Sequence, residues 1–171
     1  MKSETFQLQS PIGNLLITIA DNEVMEVDLG LDSKKLSRTQ FKKPEESTSS
    51  YAAIVKGQLE SYFERTGSEF QLKVKMTGTA FQQSVWRVIK SIQYGSTLTY
   101  SDIAKELNSS PRAVGNACRA NPIPIIVPCH RVVSKSGLGG FAGQLAGENI
   151  NAKNWLLRHE QALESECKEV S

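Results

Sequence analysis

The sequence predicts an α+β protein: a small N-terminal antiparallel sheet with one helix, then a mostly helical C-terminal domain of winged helix-turn-helix type. Three observations carry that expectation. The first thirty residues alternate apolar and polar positions between turn signals, as a β meander does. From Thr79 onward the apolar residues instead recur at three- and four-residue intervals, the period of a helix with one buried face. The change of period falls at Met76-Thr77-Gly78-Thr79, which sets the expected domains at residues 1–77 and 78–165, followed by a frayed tail at 166–171.

Taken in order, Thr5 to Gln9 alternates around Phe6 and Leu8, Ser10 to Asn14 supplies a turn, and Leu15 to Ala20 returns as an apolar, β-branched strand. Asp21-Asn22 turns the chain into a third strand at Val24 to Leu29. Asp32 to Ser50 is rich in Lys, Ser, Thr and Glu without apolar period and reads as a loop. Tyr51 to Arg65 reads as an amphipathic helix stopped by Gly67, and the alternation from Phe70 to Met76 as a further strand. Thr79 with Gln82 forms a capping box before the helix carrying Val85, Trp86 and Ile89, which Tyr94-Gly95 ends. Thr99 caps a short helix, and Ser110-Pro111 opens another that closes at Asn121-Pro122. Two short helices joined by a tight turn, the second bearing Arg112 and Arg119 among small residues, have the organisation of a helix-turn-helix, in which arginines supply phosphate contacts. Any helical hairpin built on Ala and Gly shares that pattern. A last helix is expected from about Glu148 to Ala162.

A net charge of +2 permits a nucleic-acid partner without requiring one, and 39% hydrophobic with 22% charged residues is ordinary globular composition. No run approaches the roughly 20 apolar residues of a membrane span, and Glu4 stands where a secretory leader would carry its apolar core. Cys118, Cys129 and Cys167 form no disulfide framework, which suits a reducing, cytoplasmic setting. With His130 and His159 the only histidines and no Cys-x-x-Cys pair, neither a structural metal nor another cofactor is expected.

The stretch Ile123 to Val133 is where chemistry concentrates. Pro122, Pro124 and Pro128 stiffen an apolar run that delivers Cys129 beside His130. A thiol becomes a nucleophile when a neighbour lowers its pKa or takes its proton, and imidazole is the usual agent. A buried, inert cysteine is the competing reading of those residues alone. Gly137 to Gly143 lacks a following Lys-Ser or Lys-Thr, so it suits a backbone closing over a flat ligand better than a phosphate cradle.

Four motifs in fixed order extend this reading: Thr99-Tyr100-Ser101-Asp102-Ile103-Ala104, the run from Arg112 to Pro122, Pro128-Cys129-His130-Arg131-Val132, and Trp155 to Glu160. Together they resemble the O6-alkylguanine-DNA alkyltransferases, in the stand-alone bacterial form, almost continuously from Gly78 to Glu160 and more loosely before. The resemblance implies an RNase H-like N-terminal fold and a single-use repair reaction in which O6-methylguanine flips out of duplex DNA and its alkyl group moves to Cys129. It implies His130 as base, Glu160 as its orienting carboxylate, Tyr100 as donor to the departing guanine and Asn121 as a brace beneath the cysteine. Arg112 would fill the space of the flipped base, Ala113, Gly115 and Ala117 would lie against the groove beside Arg119, and Val132, Phe141, Ala142 and Lys153 would line the base pocket. The partner implied is double-stranded DNA containing O6-alkylguanine, met by a monomer with no obligate protein partner and no membrane.

Some relatives carry N-terminal zinc ligands, and a bifunctional relative carries a four-cysteine domain; neither has a counterpart, since Met1 to Ala80 holds no Cys or His. Competing readings are a non-catalytic lesion-binding relative, which Cys129 argues against, and a helix-turn-helix regulator with a redox-sensitive cysteine, which leaves Tyr100 and Glu160 without a role. A papain-like hydrolase would draw its histidine from far along the chain.

Overall fold

The computed structural model describes residues 2–30, 49–67, 69–140 and 147–169. It divides into two compact units, Met1–Met76 and Thr77–Ser171.

In the first unit, β1 (Ser3–Ser10), β2 (Gly13–Ala20) and β3 (Glu23–Asp28) form an antiparallel sheet in sequence order. Asp21 and Asn22 both have positive φ, 52° and 59°, the mirror-image turn whose twist matches the strands it joins. Phe6, Leu8, Leu15 and Ile17 are buried, as alternation demands, and a register shift at Thr18/Ile19 brings Val24 and Val27, three residues apart, onto the same buried face. The helix α1 (Ser50–Phe63) is capped by Ser49, whose hydroxyl accepts from the Ala52 N–H, and it packs Ala52, Val55, Leu59 and Tyr62 inward. Burial of Val55 and of Leu59 contributes about 1.5–3 kcal/mol each.

Two expectations change here. The helix is stopped by Arg65, which takes the left-handed conformation (φ 61°), and Gly67 follows only as a donor to the Ser61 carbonyl. The expected strand at Phe70 to Met76 keeps its alternating burial but pairs only around Val74: Val24 N–H donates to Lys73 O (2.8 Å) and Lys75 N–H to Val24 O (2.9 Å). The loop expected over 32–50 lies almost wholly outside the described residues.

The second unit holds α2 (Ala80–Ser91), β4 (Leu98–Thr99), α3 (Tyr100–Glu106), α4 (Pro111–Arg119), a 3-10 turn (Cys129–Arg131), β5 (Val132–Val133) and α5 (Glu148–Glu169). Thr79 and Gln82 form a reciprocal capping box on α2, and Thr99 and Asp102 form one on α3. Ser110 caps α4, with Pro111 at its first position. The strands β4 and β5 pair in parallel, Leu98 with Val132 and Thr99 with Val133. That short ladder fixes the chain immediately after Cys129 beside the start of α3. The helix α4 packs on both α2 and α3, and α5 packs on the 3-10 turn. Glu148–Glu169 exceeds the expected Ala162 end and takes in most of the tail expected to fray, in keeping with the high helix propensity of its Glu, Lys and Ala residues.

Candidate active site

The chain between Asn121 and Cys129 is a braced loop. Asn121 accepts from the Ile123 N–H through Oδ1 (2.9 Å) and donates through Nδ2 to the Val127 carbonyl (2.8 Å). Val127 N–H closes on Ile123 O (2.9 Å), and Cys129 N–H reaches Val127 O (2.8 Å). The loop is held against a cost: buried Ile125, a β-branched residue, sits at φ 73°, a region worth of order 1–3 kcal/mol of strain. Asn121 thus ties together the two ends of the loop that delivers Cys129.

Cys129 is buried at the start of the 3-10 turn. Burial pushes its thiol pKa up, opposed by the Asn121 hydrogen bond, the Lys153 charge and the N–H groups of Cys129 and His130. The net shift is upward, so the resting group is a thiol within a shell already arranged for a thiolate.

His130 and Glu160 are both buried, with Nε2 and Oε1 2.7 Å apart. Burial of Glu160 opposes ionisation, but hydrogen bonds and charge from His130 and Arg131 outweigh it and hold the carboxyl at about 2. Burial lowers the His130 pKa, Glu160 pulls it the other way, Arg131 and Lys153 lower it further, and the net direction is down. The pair is thus an ionised carboxylate and a neutral imidazole, with Arg131 the permanent charge beside Glu160. An ionised carboxylate only accepts, so Nε2 carries the ring hydrogen and Nδ1 carries the lone pair. No described protein group hydrogen-bonds to the buried Nδ1.

Tyr100, first residue of α3, donates to the Gly140 carbonyl (3.2 Å). Burial, then the Cys118 and Cys129 thiols, raise its pKa, so at neutral pH it is a phenol. Lys153 of α5 is fully buried, donating to Val132 O (2.6 Å) and Gly140 O (2.9 Å), with its ammonium 5.8 Å from the Tyr100 ring centre. Burial lowers its pKa to about 8 against the pull of both thiols. Gly139 (φ 71°) passes so close to Tyr100 that a Cβ would lie 2.9 Å from its ring.

The fold thus gathers Cys129, His130, Glu160, Asn121, Tyr100 and Lys153 in one region. Val132 is buried there with its carbonyl taken by Lys153. Arg112 and Arg119 are exposed on α4, Ala113 and Gly115 are partly buried, and Gly115 faces the Tyr100 ring. Ala117 does not fit a place against a groove: it is 2% exposed and its carbonyl accepts from the Trp86 indole (2.8 Å), because helical spacing puts it with Val114 on the inner face. Phe141 and Ala142 lie outside the described residues. Cys118 is held as a thiol, its pKa pushed by burial to about 12. Sequence reasoning passed over Arg131, although an arginine inside the apolar run Ile123 to Val133 signals a buried carboxylate partner. Among the described residues no cluster of three or more His, Cys, Asp or Glu is placed to hold a metal, and no helix is long and apolar enough to cross a membrane.

Residues 80–162 match the DNA binding domain of 6-O-methylguanine DNA methyltransferase. The methylated-DNA--protein-cysteine methyltransferase of Methanosarcina acetivorans is 38% identical over 155 residues, 89% of this chain and 94% of that protein. The chain belongs to the O6-methylguanine DNA methyltransferase family. The like-named protein of Methanocaldococcus jannaschii is 44% identical over a shorter stretch of 90 residues, 53% of this chain and 51% of that one. Among solved structures, the Mycobacterium tuberculosis O6-methylguanine methyltransferase superposes with a TM-score of 0.80 at 35% identity, covering 94% of each chain. A Mycobacterium tuberculosis OGT structure in complex with DNA superposes at 0.71 with 32% identity over 93% of each chain. Membership in this family accounts for an α+β chain with a DNA-binding second unit and a cysteine held beside a histidine.

Proposed function

We infer that the chain repairs DNA by direct reversal, moving the alkyl group of O6-methylguanine in duplex DNA onto Cys129 once and irreversibly. The observation that carries this reading is the hydrogen-bonded order at the site: Glu160 holds Nε2 of a neutral imidazole whose Nδ1 meets no described protein group and belongs to the residue next to a buried thiol. Adjacent side chains seldom point at each other, so the proton passes from Sγ to Nδ1 through a bridging water. The thiolate attacks the alkyl carbon, the S–C bond forms and the C–O6 bond breaks. Its electrons pass to guanine, which takes a proton from the Tyr100 hydroxyl; the imidazolium proton restores the phenol. The net change is thiol plus O6-alkylguanine to thioether plus guanine. A thioether is a poor leaving group, so no turnover follows.

A base within the duplex hides its O6 group, and extrusion costs a few kcal/mol. Arg112, exposed at the start of α4, offsets that cost by entering the stack as a planar cation, while Arg119 meets the backbone. Gly139, Gly140 and Lys153 shape the floor against which the flipped base lies. The protein acts as a monomer on lesion-bearing DNA without an obligate partner, and its free thiols Cys118 and Cys129 suit the reducing cytoplasm. Exposure to duplex DNA bearing isotope-labelled O6-methylguanine tests the reading: one label per protein should appear on the peptide containing Cys129, and label left on the DNA by folded, DNA-binding protein overturns it.

A further inference from the structure

Arg131 is the charged side chain of the site to which the reaction as drawn gives no task. It is 6% exposed, yet each of its three nitrogens is engaged: Nε donates to Glu160 Oε2 (3.0 Å), Nη2 to Glu160 Oε1 (2.9 Å) and Nη1 to the Ile92 carbonyl (2.6 Å). The guanidinium carbon lies 5.7 Å from the centre of the Tyr94 ring. Glu160 Oε1 is thus shared between Arg131 and His130 Nε2. A bidentate guanidinium, always charged, removes most of the basicity of a carboxylate. A carboxylate so held can orient an imidazole but is a poor acceptor for its proton.

We propose that Arg131 is a positioning residue for the alkyl transfer, which fixes Glu160 as a permanent acceptor and thereby keeps His130 neutral, with its hydrogen on Nε2 and its lone pair on Nδ1 available as the base. The inference deepens the alkyltransferase reading and rests on it for the role of Nδ1. Without Arg131, Glu160 would have His130 as its main cationic partner, and a lone carboxylate 2.7 Å away favours imidazolium. An imidazolium has no lone pair and cannot take the Cys129 proton. Among the described residues the titratable groups around His130 are Glu160 and Lys153 from α5, and Arg131 and the Cys129 thiol within its own turn. Arg87 and Lys90 of α2, which also packs on that turn, are exposed. Lys153 is committed to two carbonyls, so Arg131 is the cation whose removal changes the balance.

Two measurements test this on the full chain. Nitrogen chemical shifts of the His130 ring, followed by NMR without DNA, should show the Nε2–H neutral tautomer at pH 7 and no protonation down to pH 6; an imidazolium at pH 7 overturns the proposal. This readout is independent of alkyl transfer, so a protein that fails to transfer label would sink the alkyltransferase reading and leave the tautomer result standing. Single-turnover transfer rates from O6-methylguanine DNA are then compared across pH for wild type, Arg131→Met and Arg131→Lys. The acid limb should move up by about two pH units in Arg131→Met, an added loss of about tenfold at pH 6 relative to pH 8. In Arg131→Lys, which keeps the charge but not the fork, the limb should stay near that of wild type while the rate falls. An equal loss at every pH in Arg131→Met marks a merely structural residue and overturns the proposal. If Arg131→Met does not fold, the wild-type tautomer and the limb of Arg131→Lys decide alone.

Discussion

Replacing Glu160 with Gln should cost the protein about 3 kcal/mol at pH 7, and that cost should shrink as the solution is acidified. Glu160 is 1% exposed, and its carboxylate takes two bonds from Arg131 and one from His130. The amide preserves shape but leaves the Arg131 guanidinium buried without a counter-charge, a loss of about 3–5 kcal/mol when one partner of a buried pair is removed. Linkage gives a similar figure. The carboxyl is held at about 2 rather than the ordinary 4.5, and at 1.36 kcal/mol per pKa unit that is about 3 kcal/mol. The sign follows from a depressed folded-state pKa: the contribution is complete above pH 4.5 and is lost as pH falls through about 2. Urea unfolding of wild type and Glu160→Gln should therefore show the full gap at pH 7 and a gap of about 1 kcal/mol at pH 3. A gap below about 1 kcal/mol at pH 7, or one that stays constant to pH 3, would refute the assignment of Glu160 as a buried, ionised partner.

Further outcomes follow from the same geometry. Gly139→Ala would force a Cβ to 2.9 Å from the Tyr100 ring at a φ of 71°, so single-turnover transfer should slow about 10- to 100-fold through misplacement of the donor. Iodoacetamide labelling of Cys129 should be little changed in that variant, and equal loss of both would point to a collapsed site instead. Arg112→Ala should slow transfer from duplex DNA about tenfold and leave transfer from free O6-methylguanine base unaltered, because only the duplex requires the vacated stack to be filled; parallel losses would remove Arg112 from base flipping. In the absence of DNA, Cys129 should react with iodoacetamide more slowly than an ordinary thiol at pH 7 and accelerate beyond pH 9, since burial raises its pKa above 9.0; a rate as high at pH 6 as at pH 8 would contradict a protonated resting state.

Much of this was legible in the order of residues because local physics and tertiary need agree there. The turn at Asp21-Asn22, the box at Thr79, the cap at Thr99 and the Ser110-Pro111 start are chemical statements about two to four adjacent residues, and they form as written. The strand expected at Phe70 to Met76 has the right alternation, but pairing depends on a partner, and Val24 offers it only two backbone bonds. Ala117 misleads for a different reason. Its smallness suits a groove and an interior equally, and only the position of Trp86, 31 residues earlier, decides between them. Arg131 hides because its partners Glu160 and Ile92 are 29 and 39 residues away.

The upward shift of the Cys129 pKa looks at first opposed to nucleophilic chemistry, yet it suits an acceptor that is used once. A thiol with a permanently low pKa would be a thiolate at rest and would be spent on any small electrophile or oxidant that reached it. Here the groups that favour the thiolate, namely the Asn121 amide, two backbone N–H groups and the Lys153 charge, are already around the sulfur, while burial withholds ionisation. In the proposed reaction ionisation then depends on Nδ1 of His130 receiving the proton, with Arg131 and Glu160 keeping the ring neutral and oriented. In that proposed reaction Tyr100, held as a phenol against Gly140, would complete the separation, storing the proton for the leaving guanine apart from the place for the thiol proton. Reactivity is in this way tied to a base that presents its O6 substituent to the sulfur, and selectivity comes from the burial that slows the free thiol.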